Sequence, residues 1–531
     1  ENIFGQSGMP FFDLANADVV LSFGANFLET WLSPVAYTRD FAKMRRSDPR
    51  QRGYLVQFEA RMSQTAAKAD KWIPVLPGTE GLVALAIGKL AAEARGGAVP
   101  QAFASVNPHD VAAAADVKLE TLEQIARMVV EAAAPLAIPG GAALGQSNGL
   151  STAEAVLVLN AQADNLGKVG GVSLSPLSPN QDEYYRPASA KEMSDFVAKM
   201  KSGEIKTLFV HGVNPVFELP ASLGFADALA AVPQVISFAT FPDETAVASD
   251  YVFPDHHGLE SWGYQRAVTG TDQSVLSGAQ PVVSPYFNTR ATVDVLIEAA
   301  RLAGGKFAEA LPFADEVEFI QSKLDSLVGA KGSFTAPEIN TFSAYFQQHG
   351  GWWTNGEAAA LSASSAANKN VKAEVAEFEG VGEFFFVPFV SPTLGEAGAN
   401  KPWLQELPDP TTTVTWNTWV EMNPETARRN GIENDDVLRI TSEAGSVEVP
   451  VYLYPAIRPE VIAIPFGQGH TAYGQFAAGR GVNPADLMGI HFNEAGDLAF
   501  AGMKVSVVNT HKKRELSRLE GKVGVYEFRG E

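Results

Sequence analysis

The sequence predicts an α/β protein: two related Rossmann-like units forming an internal repeat, then a C-terminal β-barrel. Apolar strand patterns alternate with helical ones through the first half of the chain, as in parallel α/β folds. A strand that ends in Gly-x-Asn occurs twice. After residue 414 the texture changes to short alternating strands with turn signals, the pattern of a compact barrel.

The first copy opens with "ADVVLSFGANFLE" (17–29), an apolar strand ending in Gly24-Ala25-Asn26. The second opens with "KTLFVHGVNPVFE" (206–218), ending in Gly212-Val213-Asn214, and an acid (Glu29, Glu218) lies just beyond each turn. Downstream, "TAAKADKWIP" (65–74) and "TAVASDYVFP" (245–254) share Thr-Ala-x-x-[Ala/Ser]-Asp-x-x-x-Pro at identical spacing. Each follows a strand, "YLVQFEA" in one case and "QVISFAT" in the other. In an open parallel sheet, ligands sit beyond the carboxyl ends of the strands. Glycine there admits close backbone approach, and asparagine tolerates left-handed geometry. Two such units facing one another would enclose one long, pseudo-symmetric ligand; the plainer alternative is a pair of tight βα turns. The usual nucleotide fingerprints are absent. "GGAALG" (140–145) misses the Gly-x-Gly-x-x-Gly pattern, and there is no Walker-type lysine loop.

The expected organisation is 1–172 for the first unit with its return segment, and 173–305 for the second. An irregular connecting region, 306–410, contains the small, polar linker 356–370, "GEAAALSASSAANKN". The barrel is expected over 411–531, where "NPETARRNGI" reads as a short helix stopped at Gly431.

At 531 residues the chain is too long for a single core. Its 46% apolar and 19% charged residues are an ordinary globular balance. A net charge of −21 repels phosphate backbones, so nucleic acid is excluded as a natural partner; the charge suits solubility or a basic protein surface. The absence of cysteine excludes disulfides, thiolate zinc sites and any iron–sulfur cluster held by these residues, and favours an exported protein. No apolar run reaches the ~18 residues needed to span a bilayer, and "FFFVPFV" (384–390) falls far short. The chain opens on "ENIFGQSGMP" without an initiator Met or signal peptide, and reads as a processed or partial polypeptide.

Several segments, in order, resemble the molybdopterin-dinucleotide oxidoreductases, relatives of formate dehydrogenase. They are "NADVVLSFGAN", "EARMSQTAAKADKWIPVLPGTEGLVALAI", "LNAQADNLGKVGGV", "LFVHGVNPVFELP", "DETAVASDYVFPDHHGLESWG" and "MNPETARRNGIENDDVLRITSEAGSVEVPV". The resemblance implies two related α/β domains around a pair of molybdopterin guanine dinucleotides carrying Mo or W, capped by a barrel. It places any such cofactor against Gly24, Asn26, Gly212 and Asn214. Glu59 and Arg61 stand where the family has Asp-Pro-Arg; Gly78 and Thr79 keep its "PGTE" loop; Gly469, His470 and Asn483 match pterin-facing barrel positions. A metal-ligating residue and an N-terminal iron–sulfur cluster, which active members carry, would align upstream of Glu1.

The stretch 259–300, "LESWGYQRAVTGTDQSVLSGAQPVVSPYFNTRATVDVLIEAA", departs from catalytic relatives. It looks most like the large B subunit of alternative complex III, a bacterial membrane assembly that oxidises quinol. That likeness implies a cofactor-free molybdopterin-like domain, peripheral on the periplasmic face, packed against a cluster-bearing ferredoxin-like domain and other subunits. The alternative is the body of an active Mo or W oxidoreductase. No acid–base pair or nucleophilic triad can be assembled, so no catalytic residue and no metal ligand is assigned. The adjacent His256 and His257, framed by Pro254 and Gly258, read as the rim of a pocket or an interface loop, because neighbouring side chains of an extended segment point to opposite faces.

Overall fold

The computed structural model describes residues 2–5, 8–46, 52–176, 187–267, 271–354, 361, 369–395 and 397–519. It is an α/β protein with a closed C-terminal barrel of six strands.

In the first unit, β1 (Pro10–Phe12) pairs with a distant strand, while β2 (Val19–Phe23), β3 (Tyr54–Phe58), β4 (Lys71–Ile73) and β5 (Pro135–Pro139) form a parallel sheet in the order β4-β3-β2-β5. β6 (Val172–Leu174) closes the unit by pairing antiparallel with β1. Every residue of β2 and β5 is buried, as expected when helices cover both faces. The helix Leu119–Glu131 shows why: Leu122, Ile125, Ala126 and Val129 recur at helical spacing on its buried side. β5 is an edge strand, but Asn160, on the helix Gly149–Gln162, covers its outer side by bonding both the amide and the carbonyl of Ala137, each at 2.8 Å.

Among the described residues, the second unit repeats this plan with one strand fewer. β7 (Thr207–His211), β8 (Gln234–Ala239) and β9 (Tyr251–Pro254) are parallel in the order β7-β8-β9. The registers match: Val56 faces Lys71 in one sheet as Ile236 faces Tyr251 in the other. The shared Thr-Ala motif is a structural latch. Asp70 and Asp250 each accept a strand amide, from Leu55 and Val235, at 2.8 Å. Thr65 and Thr245 each accept one from the chain after the Gly-x-Asn turn, from Leu28 and Val216, at 3.1 Å. One sheet face carries the core of helices Ala190–Lys201 and Phe225–Ala230.

The connecting region is more ordered than its composition suggests. β10 (Gly263–Ala267) and β11 (Val275–Ala279) form an antiparallel sheet with β12 (Gly351–Trp353), and the helices Glu316–Leu324 and Ile339–His349 pack with them. Leu276, Phe342, Phe346 and Trp352 make a separate core. The expectation of irregular chain over 306–410 is corrected here: Phe342 and Phe346, four apart on one helical face, bury against Leu276 on a strand 66 and 70 positions earlier. Most of the expected linker 356–370 lies outside the described residues.

The barrel also begins earlier than 411. Its strands are β13 (Phe384–Val390), β14 (Val420–Met422), β15 (Asp436–Thr441), β16 (Ser446–Leu453), β17 (Val461–Phe466) and β18 (Lys504–Lys513), closed in the order β13-β17-β14-β16-β15-β18. The run "FFFVPFV" is therefore a barrel strand, parallel to β17. Phe386, Val420, Leu438, Val449, Ile462 and Val505 fill the interior.

Candidate functional site

Each Gly-x-Asn turn opens on a cleft. Gly24 (φ +78°) and Gly212 (φ +65°) adopt the left-handed conformation that lets the chain leave β2 and β7 sharply. The first cleft, about 400 Å³, is lined by Gly24, Asn26, Glu59 and Arg61 from the first unit, Glu80 and Gln146, and barrel residues including Phe389 and Phe466. The second, about 150 Å³, is lined by Gly212, Asn214, Phe217, Asp243, His470 and Tyr473. Glu218 lines both, so the clefts adjoin.

The structure thus brings together seven of the eleven residues singled out in the sequence. The other four lie behind the walls. Gly78 (φ +89°) passes under the segment at 376–378; a Cβ there would sit 2.8 Å from the Cβ of Ala376. Thr79 is fully buried and donates its hydroxyl to the Leu76 carbonyl at 2.6 Å. A Cβ on Gly469 would strike the Asn483 amide nitrogen, and Asn483 caps the turn at Pro484–Leu487 while donating to the Phe217 carbonyl at 2.8 Å.

The polar groups of both clefts are largely committed to one another. Arg61 binds both carboxylate oxygens of Glu421 on β14, at 2.5 and 2.9 Å, and its guanidinium lies 3.5 Å over the Phe389 ring. Glu59 accepts from the Ser63 amide at 2.6 Å and from Gln57 at 3.0 Å, yet burial still pushes its pKa up. Glu80 accepts from the Gly78 amide at 2.9 Å, and burial carries its pKa to about 7. Behind the second cleft, Glu244 is the hub that joins its lining residues Asn214 and His470. It accepts from Asn214 at 2.7 Å, from His470 at 3.2 Å, and from the amides of Thr471 and Ala472 at 2.7 and 2.9 Å. Burial alone would raise its pKa, but these bonds outweigh burial and hold the carboxyl well below its usual range. Asn214 also accepts from the amide and hydroxyl of Thr245 at 3.1 and 2.7 Å. His470 stacks on Phe217 with centroids 3.6 Å apart.

Glu421 and Glu244 were not singled out in the sequence. Glu244 had a signal: it precedes the motif threonine, where the first copy has Gln64. Glu421, an acid inside the apolar run "WVEM", signalled a buried charge without its partner. Of the histidine pair only His256 lines a pocket, a different one, and it bonds Thr289 at 2.7 Å; the ring of His257 instead accepts from the Leu259 amide at 3.3 Å. Among the described residues, no group of three or more His, Asp or Glu side chains could hold a metal ion.

Clefts beyond the strand ends of two related parallel sheets, bordered by a barrel, lie where open α/β folds bind their ligands. The chain belongs to the molybdopterin oxidoreductase family: residues 3–301 match the family described as Molybdopterin oxidoreductase, and 405–497 match the Molydopterin dinucleotide binding domain. It is 26% identical to the menaquinone reductase, molybdopterin-binding-like subunit of Nitratidesulfovibrio vulgaris, over 92% of this chain and 70% of that protein. It is 23% identical to an arsenate respiratory reductase molybdopterin-containing subunit from a Shewanella species, over 90% of this chain and 72% of that one. Acetylene hydratase from Pelobacter acetylenicus shares the fold, with a TM-score of 0.71, 15% identity, and coverage of 94% and 79%.

Proposed function

We propose that this chain is a molybdopterin-like domain kept as scaffold, without bound cofactor, in a membrane-associated complex that moves electrons to or from quinone, as in alternative complex III. The observation that carries this reading is the chemistry of the clefts. A pair of pterin dinucleotides brings two pyrophosphates, yet the cleft linings present carboxyls (Glu59, Glu80, Glu218, Asp243), and among the described lining residues the one guanidinium, Arg61, is bound to Glu421. The second cleft, at about 150 Å³, is below the ~300–1,000 Å³ of ordinary small-molecule sites. The carboxyl lining and the committed guanidinium support the cofactor-free reading. The relative named as a menaquinone reductase "molybdopterin-binding-like" subunit supports the quinone-linked placement. In such a complex the chain would pack against a cluster-bearing domain and other subunits, peripheral to the periplasmic face; no described helix is long and apolar enough to cross a membrane.

A second reading, an active Mo or W oxidoreductase body, is favoured by the match to the molybdopterin dinucleotide binding domain and by one feature of the first cleft. The Gln146 carbonyl oxygen, in the first cleft, is buried and has no partner among the described residues, and pterin or guanine N–H groups would satisfy it. Molybdenum, tungsten, iron and released pterin measured in the intact native assembly separate the two. Iron without molybdenum, tungsten or pterin is expected. Stoichiometric metal and pterin would overturn the scaffold reading.

A further inference from the structure

The first cleft, at about 400 Å³, is within the ~300–1,000 Å³ of ordinary small-molecule sites. Much of its wall is apolar: Trp31 from the first unit, and Val387, Phe389, Phe466, Met488 and Phe500 from the C-terminal part. Three carboxyls are set into that wall, Glu59, Glu80 and, at the exposed rim, Glu218.

Glu59 and Glu80 are held by neutral groups. Glu59 accepts from the Ser63 amide and Gln57, and Glu80 from the Gly78 amide and Gln146. Burial raises both pKa values, as expected of carboxyls withdrawn from water without a cation beside them. Arg61, the one guanidinium among the described lining residues, already gives two bonds to Glu421. Its charge is thereby balanced, and it neither neutralises Glu80 nor repels a second cation strongly.

Gln146 supplies the second observation. It is 1% exposed, and its amide nitrogen serves Glu80. Its carbonyl oxygen is the one fully buried polar atom of the lining that lacks a partner among the described residues. Buried acceptors are nearly always satisfied, so this oxygen marks the place of a donor. Asn26 donates to Thr30 at 2.8 Å and has its own oxygen to offer as well.

We propose that the first cleft binds a small organic cation, an amidinium or ammonium group on a flat apolar body. Its N–H groups meet the Gln146 oxygen, its charge meets Glu59 and Glu80, and its body lies against the aromatic wall. Ring faces add to the attraction for a cation. The carboxyls repel an anion. An oxidised quinone, which carries acceptors only, leaves the Gln146 oxygen unmet. The inference rests on the scaffold reading, because a bound pterin would fill the same space.

Benzamidine has this chemistry, and benzamide and benzoate keep its size while being neutral and negative. The test titrates each calorimetrically into the native assembly at neutral pH, after its released pterin has been measured. Benzamidine should bind about tenfold or more tightly than benzamide, the worth of one charge-assisted hydrogen bond, and benzoate should not bind. Glu80→Gln should weaken benzamidine about tenfold and leave benzamide within about twofold. Glu59→Gln, at the other carboxyl, should act in the same direction, so the result does not hang on one variant. Equal affinity for benzamidine and benzamide, or benzamidine binding untouched by both variants, overturns the inference. So does absence of binding, which is also how a cleft filled by the protein's own chain would read, since the assembly carries the whole chain. Pterin in the sample would overturn the scaffold reading and this inference together. A pterin-free sample without selective binding overturns this inference alone.

Discussion

Arg61 and Glu421 form a buried two-bond ion pair, at 2.5 and 2.9 Å, between residues 360 positions apart. It joins the end of the first sheet to the barrel strand Val420–Met422, and the side chain of Glu421 is wholly inaccessible to solvent. The side chain that the family pattern aims at a cofactor lines the first cleft and also fastens two parts of the protein together.

Removing one partner alone should therefore be costly. Arg61→Ala leaves a buried carboxylate unpaired, and the expected loss is about 3–5 kcal/mol by denaturant titration. The double variant Arg61→Met with Glu421→Leu should recover most of it, because replacing both charges removes the desolvation penalty together with the attraction. A single variant no less stable than the parent would show that the pair is not formed in solution.

The Glu244 hub predicts an acid-sensitive second cleft. The folded carboxyl is held below its ordinary value of 4.5, against the opposing effect of burial, by His470, the Ala472 amide and Asn214. A depressed folded pKa contributes stability that is complete above the unfolded value and is lost as pH falls below it. Glu244→Gln should cost about 2–3 kcal/mol at pH 7, the worth of its charged hydrogen bonds. The gap from the parent should narrow steadily as pH drops below about 4.5. A gap that stays constant from pH 7 to pH 3 would rule out the charged hub.

Glu80 has the opposite sign. Burial raises its pKa from 4.5 to about 7, so the folded form keeps a proton that the unfolded chain has released. Stability then falls as pH rises from about 4.5 to about 7 and levels off above. Glu80→Gln, which keeps an oxygen for the Gly78 amide, should match or exceed the parent at pH 8 and lose that advantage below pH 4.5. Melting curves across this range read the crossing directly.

What could be read from the sequence follows from the range of the interactions. The strands Val19–Phe23 and Thr207–His211 were legible because their apolar runs and following glycines are local. The Thr-Ala motif was legible as a repeat, but its work as a latch was not, since Asp70 and Asp250 reach back fifteen positions to a strand amide. The partner of Arg61 was out of reach because no local pattern links positions 61 and 421. The helix Ile339–His349 was missed because Trp352 and Leu276, which bury its phenylalanines, belong to a sheet assembled from distant segments. The sequence symmetry also suggested equal roles for the two turn asparagines, which the side-chain contacts do not support.

Asn26 makes a single bond to Thr30 at 2.8 Å, whereas Asn214 donates to Glu244 and accepts from both the amide and the hydroxyl of Thr245. The same residue type at the same point of the repeat is thus nearly free in the first cleft and locked in the second. Asn26→Ala should cost about 1 kcal/mol, the net worth of one ordinary hydrogen bond. Asn214→Ala strips a donor from a buried carboxylate and leaves the buried Thr245 amide without its acceptor, so about 2–4 kcal/mol is expected from two unsatisfied groups. Denaturant titration of the two variants side by side makes the comparison internal. Equal losses would mean that the second cleft is as open as the first and that Asn214 is available to a ligand. A clear excess for Asn214 would mean that any ligand entering there must first break bonds the protein already makes with itself.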